Sequence, residues 1–277
     1  MNNLMVRALS GAVYVALLVF TLMFAPAFCF GVLMIVFAMV GIGELQAMRA
    51  IEAPMGKWVR FLDLLLPIAI IGGGLICCIP AQDHDWLVLL IYILAAYGAL
   101  YFTLRMILAT LDRNEKPVQN YLTSLLSLFY IVLPLAALTF LAYCNPKFVL
   151  LTFIMIWVND TGAYLSGRSF GRHKLCERLS PKKTWEGFWG GFAFSVLAGV
   201  VAALFFMPYN PALLVVYGAM VSVISTYGDL FESLLKRTAG VKDSGNLIPG
   251  HGGILDRIDS VLAVAVPALL FFSIFKF

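Results

Sequence analysis

Between Ala27 and Gly43 the sequence reads AFCFGVLMIVFAMVGIG, an unbroken apolar run without a charged side chain. With its neighbouring residues the run reaches the length of an α-helix that crosses the hydrocarbon core of a membrane, about 20 apolar residues. Transmembrane β-strands would instead alternate polar and apolar residues. The stretch therefore predicts a membrane-spanning helix.

Similar apolar runs recur along the whole chain. Hydrophobic residue types make up 62% of the 277 residues and charged types only 12%, whereas soluble domains carry about 25% charged residues. We predict nine spans, at Leu9–Ala25, Ala27–Gly43, Phe61–Ile79, Trp86–Leu104, Tyr121–Tyr143, Phe148–Leu165, Phe188–Phe206, Pro211–Tyr227 and Ile258–Phe275. The expected fold class is an all-α, polytopic integral membrane protein with about nine transmembrane helices.

The first apolar run could instead belong to a cleaved signal peptide. Arg7 precedes it, and Ala25-Pro26-Ala27 has the small-x-small pattern of a cleavage site. Signal peptides, however, have an apolar core of about 7–15 residues, and this run is longer. We therefore interpret it as a retained span.

The basic residues predict the orientation of the helices. All of the 19 Lys and Arg residues except Lys147 and Lys276 fall at the N-terminus or in the even-numbered loops between the nine spans. Because basic residues concentrate on the cytoplasmic side, we expect the N-terminus inside and the C-terminus outside the cytoplasmic (inner) membrane. Two long polar loops, about Ser166–Gly187 and Leu230–Arg257, then face the cytoplasm.

Paired acidic residues lie in the second polar loop and beside it. Asp256 and Asp259 are three residues apart at the start of the last apolar run, a spacing that places both carboxylates on one face of a helix. Carboxylates without Cys or neighbouring His ligands suit a hard cation, above all Mg²⁺. Asp229, at the end of the preceding run, could supply a third oxygen ligand.

The same loop contains a turn suited to a phosphate group. Pro249–Gly253 runs into the predicted helix start, where glycines let backbone N–H groups approach an anion and the helix end favours negative charge. The basic residues around the carboxylates are Lys236, Arg237, Lys242 and Arg257. Ordinary interpretations also exist, with Asp256 as a helix cap, His251 as a turn residue and Lys236-Arg237 as a stop-transfer pair.

The first polar loop carries a second group of basic residues. Ser180-Pro181 predicts a helix start, with the serine as cap and the proline in the first turn. Lys182 and Lys183 would then lie at the positive end of a helix dipole, which indicates a bound anion. Nearby basic residues close to the membrane have an alternative explanation in attraction to anionic lipid.

Other acidic residues lie in or beside the predicted spans. Asp160 lies inside an apolar run and is therefore a candidate functional residue, because ionisable groups at membrane depth are costly. Glu44 and Asp63 lie at the ends of runs, and we interpret both as interfacial residues without a role in a site. The five cysteines have no spacing suited to zinc.

These two loops resemble the phosphatidate cytidylyltransferase (CDP-diacylglycerol synthase) family. The matching positions in the second loop are Ser233, Lys236-Arg237, Lys242-Asp243, Gly245, Pro249, His251-Gly252-Gly253, Asp256-Arg257 and Asp259. Those in the first loop are Asp160-Thr161, Tyr164, Phe170-Gly171 and Ser180–Thr184. The chain before these loops is similar to the family only in hydropathy.

The resemblance implies a reaction of CTP with phosphatidic acid that gives CDP-diacylglycerol and pyrophosphate at the cytoplasmic face. It implies Mg²⁺ as cofactor, with a second, monovalent cation such as K⁺, and the metal ligands Asp229, Asp256 and Asp259. Catalytic residues would be Asp256, Lys236, Arg237, Arg257 and Asp259. Substrate-binding residues would be Lys182, Lys183, Thr184, Lys242, His251, Gly252, Gly253 and Asp160.

The rise in polar content after about Cys144 predicts an organisation, and the resemblance implies a set of partners. Residues 1–143 would form an N-terminal transmembrane region of about five spans, and residues 144–277 a catalytic transmembrane region with both polar loops. Expected partners are CTP, phosphatidic acid and membrane lipid. Nucleic acid is not expected as a partner, and the chain could form a homodimer.

Three other functions fit parts of the pattern. CTP-dependent polyprenol or phytol kinases also combine many spans with charged loops, but would transfer the γ-phosphoryl group. CDP-alcohol phosphotransferases are disfavoured because the sequence has no Asp-Gly-x-x-Ala-Arg element. A transporter with intramembrane carboxylates is disfavoured because no repeat symmetry is detectable and the charges gather at one face.

Overall fold

The computed structural model describes residues 3–50, 55–77, 84–111, 116–205, 210–247 and 252–275. Its helices are α1 (Asn3–Met23), α2 (Ala27–Arg49), α3 (Lys57–Pro67), α4 (Gly73–Cys77), α5 (His84–Leu111), α6 (Pro117–Leu126), α7 (Leu133–Cys144), α8 (Pro146–Phe170), α9 (Trp185–Phe205), α10 (Pro211–Thr238) and α11 (Leu255–Ile274). Two π-helical segments, π1 (Ile68–Gly72) and π2 (Ser127–Val132), join α3 to α4 and α6 to α7.

The described part of the chain contains seven helical segments that are long and apolar enough to cross a membrane. They are Ala27–Arg49, Lys57–Ile76, Pro117–Cys144, Pro146–Phe170, Trp185–Phe205, Pro211–Thr238 and Leu255–Ile274. Helices α1 and α5 contain shorter apolar stretches, Leu9–Met23 and Tyr97–Leu111. Helices satisfy their own backbone hydrogen bonds, as lipid requires, and the predicted all-α, polytopic class is confirmed at this level.

A β-hairpin lies in the polar segment after α8, where the sequence analysis placed no strand. Strands β1 (Lys174–Cys176) and β2 (Ser180–Thr184) are antiparallel, with Lys174 opposite Thr184. The Trp185 N–H continues the pairing and donates a hydrogen bond of 2.9 Å to the carbonyl of His173. The chain therefore stays extended up to the first residue of α9.

The predicted helix start at Ser180-Pro181 is consequently wrong. Both residues belong to β2, and α9 begins at Trp185. Its cap is Thr184, whose hydroxyl accepts a hydrogen bond of 3.1 Å from the Gly187 N–H. A side-chain acceptor at this position satisfies one of the unpaired N–H groups of the first turn, so the capping signal that decides the helix start is the threonine.

Contacts between backbone positions divide the chain into two compact units. The N-terminal unit consists of Met1–Cys144 with Asp243–Asp256, and the C-terminal unit of Asn145–Lys242 with Arg257–Phe277. Helix α11 thus begins with residues assigned to the N-terminal unit and continues with residues assigned to the C-terminal unit.

The N-terminal unit contains a fully buried polar cluster around Asp63, on α3. Its carboxylate accepts hydrogen bonds from Gln46 Nε2 (3.0 Å), the Tyr101 hydroxyl (2.7 Å) and the Ser124 hydroxyl (2.7 Å). Arg105 Nε lies 3.4 Å from the carboxylate, and both side chains are at most 2% exposed. Asp63 is therefore a buried structural residue, because partners on α2, α5 and α6 replace the water that its carboxylate would otherwise need.

The helices of the C-terminal unit approach each other at small residues. A Cβ atom added to Gly191 on α9 would lie 2.8 Å from the carbonyl oxygen of Asn159 on α8. A Cβ atom on Gly218 of α10 would lie 2.5 Å from the carbonyl oxygen of Ser195 on α9. Small residues allow such close backbone contact between helices in lipid, and the three helices form the frame of the cavity described next.

Candidate active site

A cavity of about 500 Å³ lies within the C-terminal unit. Helices α8 and α10, the β-hairpin and the first turn of α9 form its wall. The lining residues are Asn159, Asp160, Ala163, Tyr164, Gly167, Arg168, Leu175, Lys182, Lys183, Thr184, Gly187, Phe188, Thr226 and Asp229. Four of the predicted substrate-binding residues and one predicted metal ligand therefore share one cavity.

An ion pair in the cavity wall joins the hairpin to α10. Lys183 Nζ lies 2.7 Å from Asp229 Oδ2, with 27% and 38% of the two side chains exposed. Partial exposure means that both charged groups remain accessible to a ligand in the cavity. The extended β2 strand, not a helix turn, carries Lys183 to this position.

Three carboxylates influence one another around this ion pair. Asp229 acts electrostatically on both Asp160 and Asp259, and Asp160 also acts on Asp259. The positive charge of Lys183 acts on Asp160 and Asp259 as well. Carboxylates grouped in this way supply the oxygen ligands that a hard cation prefers.

A hydrogen-bonded group of uncharged residues supports the carboxylates, and the sequence analysis missed it. The Asn159 side-chain oxygen accepts a hydrogen bond of 2.6 Å from the Ser222 hydroxyl, and its amide donates one of 3.3 Å to the Ser225 hydroxyl. The Ser260 hydroxyl donates to the Ser225 carbonyl at 3.3 Å. These bonds join α8, α10 and α11 beside Asp160 and Asp259. The signal in the sequence that could have revealed this group was the presence of polar side chains in otherwise apolar runs.

The other predicted acidic site lies in the N-terminal unit and is centred on Asp256. Asp256 Oδ2 accepts hydrogen bonds from the Ser244 N–H (2.9 Å) and the Gly253 N–H (2.8 Å), and it lies 3.0 Å from the Ser244 hydroxyl oxygen. Gly252, the residue before Gly253, has a φ of +83°, a conformation that glycine adopts without strain. The carboxylate therefore closes the turn that leads into α11.

Glu44 on α2 binds the same segment, and the sequence analysis gave it no role. Its carboxylate accepts hydrogen bonds from the N–H groups of Ile254 (2.8 Å) and Leu255 (2.9 Å) and from the Ser244 hydroxyl (2.9 Å). Glu44 is 9% exposed, so its carboxylate is buried among these donors. The anion that this helix start binds is an internal carboxylate.

The predicted basic residues of the second loop have separate environments. Lys236 Nζ pairs with Glu232 Oε2 at 2.6 Å, and Arg237 Nη1 donates to the Val241 carbonyl at 2.9 Å. Lys242 and Arg257 are exposed. Among the described residues, none of these four belongs to the lining of the cavity. The predicted residue His251 lies outside the described residues, as does Pro249.

The predicted metal ligands do not form a ready-made three-carboxylate cage. Within the described ranges, no three His, Cys, Asp or Glu side chains are grouped closely enough to hold a metal ion by themselves. Mg²⁺ usually binds through one or two carboxylates together with waters and substrate phosphates. Asp229 and Asp259 in one electrostatic group fit that donor set.

The sequence as a whole matches the model of the cytidylyltransferase family over residues 5–275. The chain belongs to this family. The family predicted from the two loops is thereby confirmed.

Individual relatives agree with the family match. A phosphatidate cytidylyltransferase of Staphylococcus epidermidis is 47% identical over 119 residues, which are 43% of this chain and 46% of the relative. One from Haemophilus influenzae is 46% identical over 138 residues, 47% of this chain and 45% of the relative. One from Staphylococcus saprophyticus is 34% identical over 216 residues, 74% of this chain and 78% of the relative. The matched part of the chain thus spans about half the length of the first two relatives and 78% of the length of the third.

Proposed function

We propose that the protein transfers the cytidylyl group of CTP to phosphatidic acid, giving CDP-diacylglycerol and pyrophosphate. The observation that carries the proposal is the cavity that brings Asp160, Lys183 and Asp229 together in a chain of the cytidylyltransferase family. The names of the relatives supply the lipid substrate. This reaction is the first step of phospholipid synthesis by way of CDP-diacylglycerol.

The charge pattern of the cavity supports a nucleotide substrate. Its volume of about 500 Å³ falls in the range of small-molecule sites, roughly 300–1,000 Å³. Lys182, Lys183 and Arg168 line it together with the carboxylates of Asp160 and Asp229. Cationic side chains bind phosphate oxygens, and carboxylates bind the cation that accompanies a triphosphate.

The proposed chemistry is a direct displacement at the α-phosphorus of CTP. An oxygen of the lipid phosphate forms a bond to the α-phosphorus, the bond from the α-phosphorus to the bridging oxygen of the β-phosphate breaks, and pyrophosphate leaves with that electron pair. The attacking phosphate monoester is largely dianionic near neutral pH, so it needs no general base. Positioning and neutralisation of negative charge by Lys183 and its neighbours supply the catalysis.

Magnesium is part of the proposal. Asp229 and Asp259 would hold the Mg²⁺ ion, and Asp256 is a further predicted ligand. A second, monovalent cation such as K⁺ is also predicted. When bound, Mg²⁺ would neutralise charge on the phosphate oxygens. With cation bound to Asp229, Lys183 would be available to donate to a phosphate oxygen.

The orientation in the membrane also belongs to the proposal. Nine spans with the N-terminus inside would place both polar segments on the cytoplasmic side, where CTP is available and pyrophosphate can be released. Reporter fusions along the chain test this topology. A fusion after Phe277 that is active only in the cytoplasm would contradict it.

The reaction is tested with CTP labelled at different phosphates. Purified protein receives phosphatidic acid, Mg²⁺ and CTP labelled in either the α- or the γ-phosphate. We expect the α-label in the lipid fraction and the γ-label in pyrophosphate. A polyprenol or phytol kinase would instead transfer the γ-label to an alcohol acceptor, and a transporter would transfer neither. Lipid carrying the γ-label, or no transfer by folded protein, would overturn the proposal.

A further inference from the structure

Glu44 makes three hydrogen bonds to a segment about 200 positions away in the sequence. Two of its donors are the backbone N–H groups of Ile254 and Leu255, at the start of α11. Such N–H groups have no partner within their own helix and carry the positive end of its dipole. A carboxylate there makes charge-assisted hydrogen bonds, which are stronger than neutral ones. Glu44 thus caps α11 from another helix.

The space around the Glu44 carboxylate is closely matched to it. A Cβ atom on Gly245 would lie 2.8 Å from Glu44 Oε1, and one on Gly253 would collide with Glu44 Oε2 and with the Ser244 hydroxyl. Glycine at both positions lets the backbone approach the carboxylate from two sides. The contact is therefore specific in geometry, and the segment has little freedom to shift while Glu44 is in place.

Ser244 connects Glu44 to Asp256. Its hydroxyl lies 2.9 Å from Glu44 Oε2 and 3.0 Å from Asp256 Oδ2. Asp256 Oδ2 also accepts from the N–H groups of Ser244 and Gly253. A displacement of Glu44 would therefore move the groups that orient the Asp256 carboxylate.

We propose that Glu44 is a positioning residue of the cytidylyl transfer reaction, which holds the start of α11 and, through Ser244, orients Asp256. The inference rests on the proposed function, in which Asp256 is a predicted catalytic residue. Glu44 touches no reacting group itself. Its effect on the reaction comes from fixing the segment that carries Asp256, and misplacement of a catalytic group by about 1 Å can lower a rate roughly 100-fold.

Glu44→Gln is the most direct variant. Glutamine keeps the shape of the side chain but replaces one carboxylate oxygen by an NH₂ group, which cannot accept a hydrogen bond. At least one of the two backbone N–H groups or the Ser244 hydroxyl then loses its acceptor. Ser244→Ala is a second variant, which removes only the hydroxyl between the two carboxylates. Glu177→Gln makes the same chemical change at an exposed position and serves as the control.

Two measurements test the positioning role. Hydrogen–deuterium exchange of purified protein in nanodiscs follows the amides of Gly253, Ile254 and Leu255 and needs no substrate. Steady-state kinetics with CTP and phosphatidic acid give kcat and the two KM values per folded molecule, the folded fraction being measured by size-exclusion chromatography.

In Glu44→Gln we expect faster exchange of the Ile254 and Leu255 amides, a roughly 10- to 100-fold lower kcat and a changed KM for one substrate only. Ser244→Ala should show a smaller change in the same direction, and Glu177→Gln should match the wild type. Unchanged exchange in Glu44→Gln would overturn the proposal. So would a loss of folded protein in both variants with normal kinetics in the folded remainder, because that is a purely structural effect.

Failure of the proposed function gives a different result. If the wild type transfers no label from CTP to phosphatidic acid, the reaction is wrong, whereas the exchange of the Ile254 and Leu255 amides still decides whether Glu44 holds the start of α11. Altered exchange in Glu44→Gln with wild-type kinetics would overturn the positioning role alone.

Discussion

Two acidic clusters, one in each unit, use the same residue types for different purposes. The cluster around Asp63 pairs its carboxylate with Arg105 and with three hydrogen-bond donors, and it is closed to solvent. The cluster around Asp229 places three carboxylates against Lys183 beside a cavity of about 500 Å³. The first is saturated by its own partners, whereas the second faces a cavity with space for a ligand.

This difference suggests how a buried carboxylate can be assigned to structure or to chemistry. A charge removed from water is stable only with partners that satisfy it, and Asp63 has them on three other helices. A group of like charges beside a cavity is instead costly until a ligand arrives, which is typical of functional sites. The predictions below test this distinction, in order of the expected effect.

Asp229→Asn is expected to cause the largest loss. The amide keeps the shape but removes the charge that would hold the cation, and we expect kcat to fall roughly 1000-fold, equivalent to about 4 kcal/mol. Single-turnover transfer of α-labelled CTP measures the rate, with circular dichroism to show that the helices remain. A rate near that of the wild type at saturating Mg²⁺ would show that the cavity cluster is not the catalytic one.

Asp63→Asn is expected to affect stability instead of chemistry. The change leaves the buried Arg105 without its charged partner, which should lower the free energy of unfolding by about 3 kcal/mol. Thermal unfolding in detergent measures this loss, and the transfer rate per folded molecule should remain that of the wild type. A specific loss of kcat in stable protein would mean that the two clusters do not differ in the way described.

Lys183→Gln should have an intermediate effect. The substitution removes the cation that pairs with Asp229 and that is proposed to bind a phosphate, so we expect kcat/KM for CTP to fall about 10-fold. The matched control is Arg178→Gln, an exposed change in the same hairpin. Equal kinetics for the two variants would restrict Lys183 to a structural ion pair.

Thr184→Val should have the smallest effect and separates the frame of the cavity from its chemistry. Valine has nearly the same shape but no acceptor for the Gly187 N–H, and loss of a helix cap costs about 1 kcal/mol. We expect a lower melting temperature with an unchanged KM for CTP, and Thr184→Ser should restore stability. An increase in KM without loss of stability would support the predicted role of Thr184 in substrate binding.

Much of the architecture followed from the sequence because lipid allows few solutions. Apolar runs long enough to cross a membrane must become helices, and a carboxylate inside such a run, as at Asp160, marks a candidate site. Because charged residues are rare in and beside such runs, Asp160 and Asp229 could be selected as candidate site residues without knowledge of the cavity that both of them line. The family followed from the order of residues in the two polar loops.

Contacts distant in sequence could not be predicted in this way. Ser180-Pro181 carries local signals of a helix start, and only the pairing of β2 with β1 overrides them. Glu44 lies about 200 positions from Ser244, so no spacing rule connects the two. Both errors concern partners that a single chain segment does not reveal, whereas composition and periodicity report only on the segment itself.

The π-helical segment π2 has a consequence for changes in chain length. Pro134 has no N–H group, and its ring crowds the carbonyl of Tyr130, four residues earlier; π2 widens the helix at this place and accommodates one additional residue. Deleting one residue from π2 would remove the additional residue and restore a regular α-helix, so Ser124 before it and Leu135 and Leu138 after it would keep nearly the same faces. The same deletion in a regular part of α6 or α7 would rotate the two parts relative to each other by about 100°. In this span π2 is therefore the place where the chain can lose a residue without a twist.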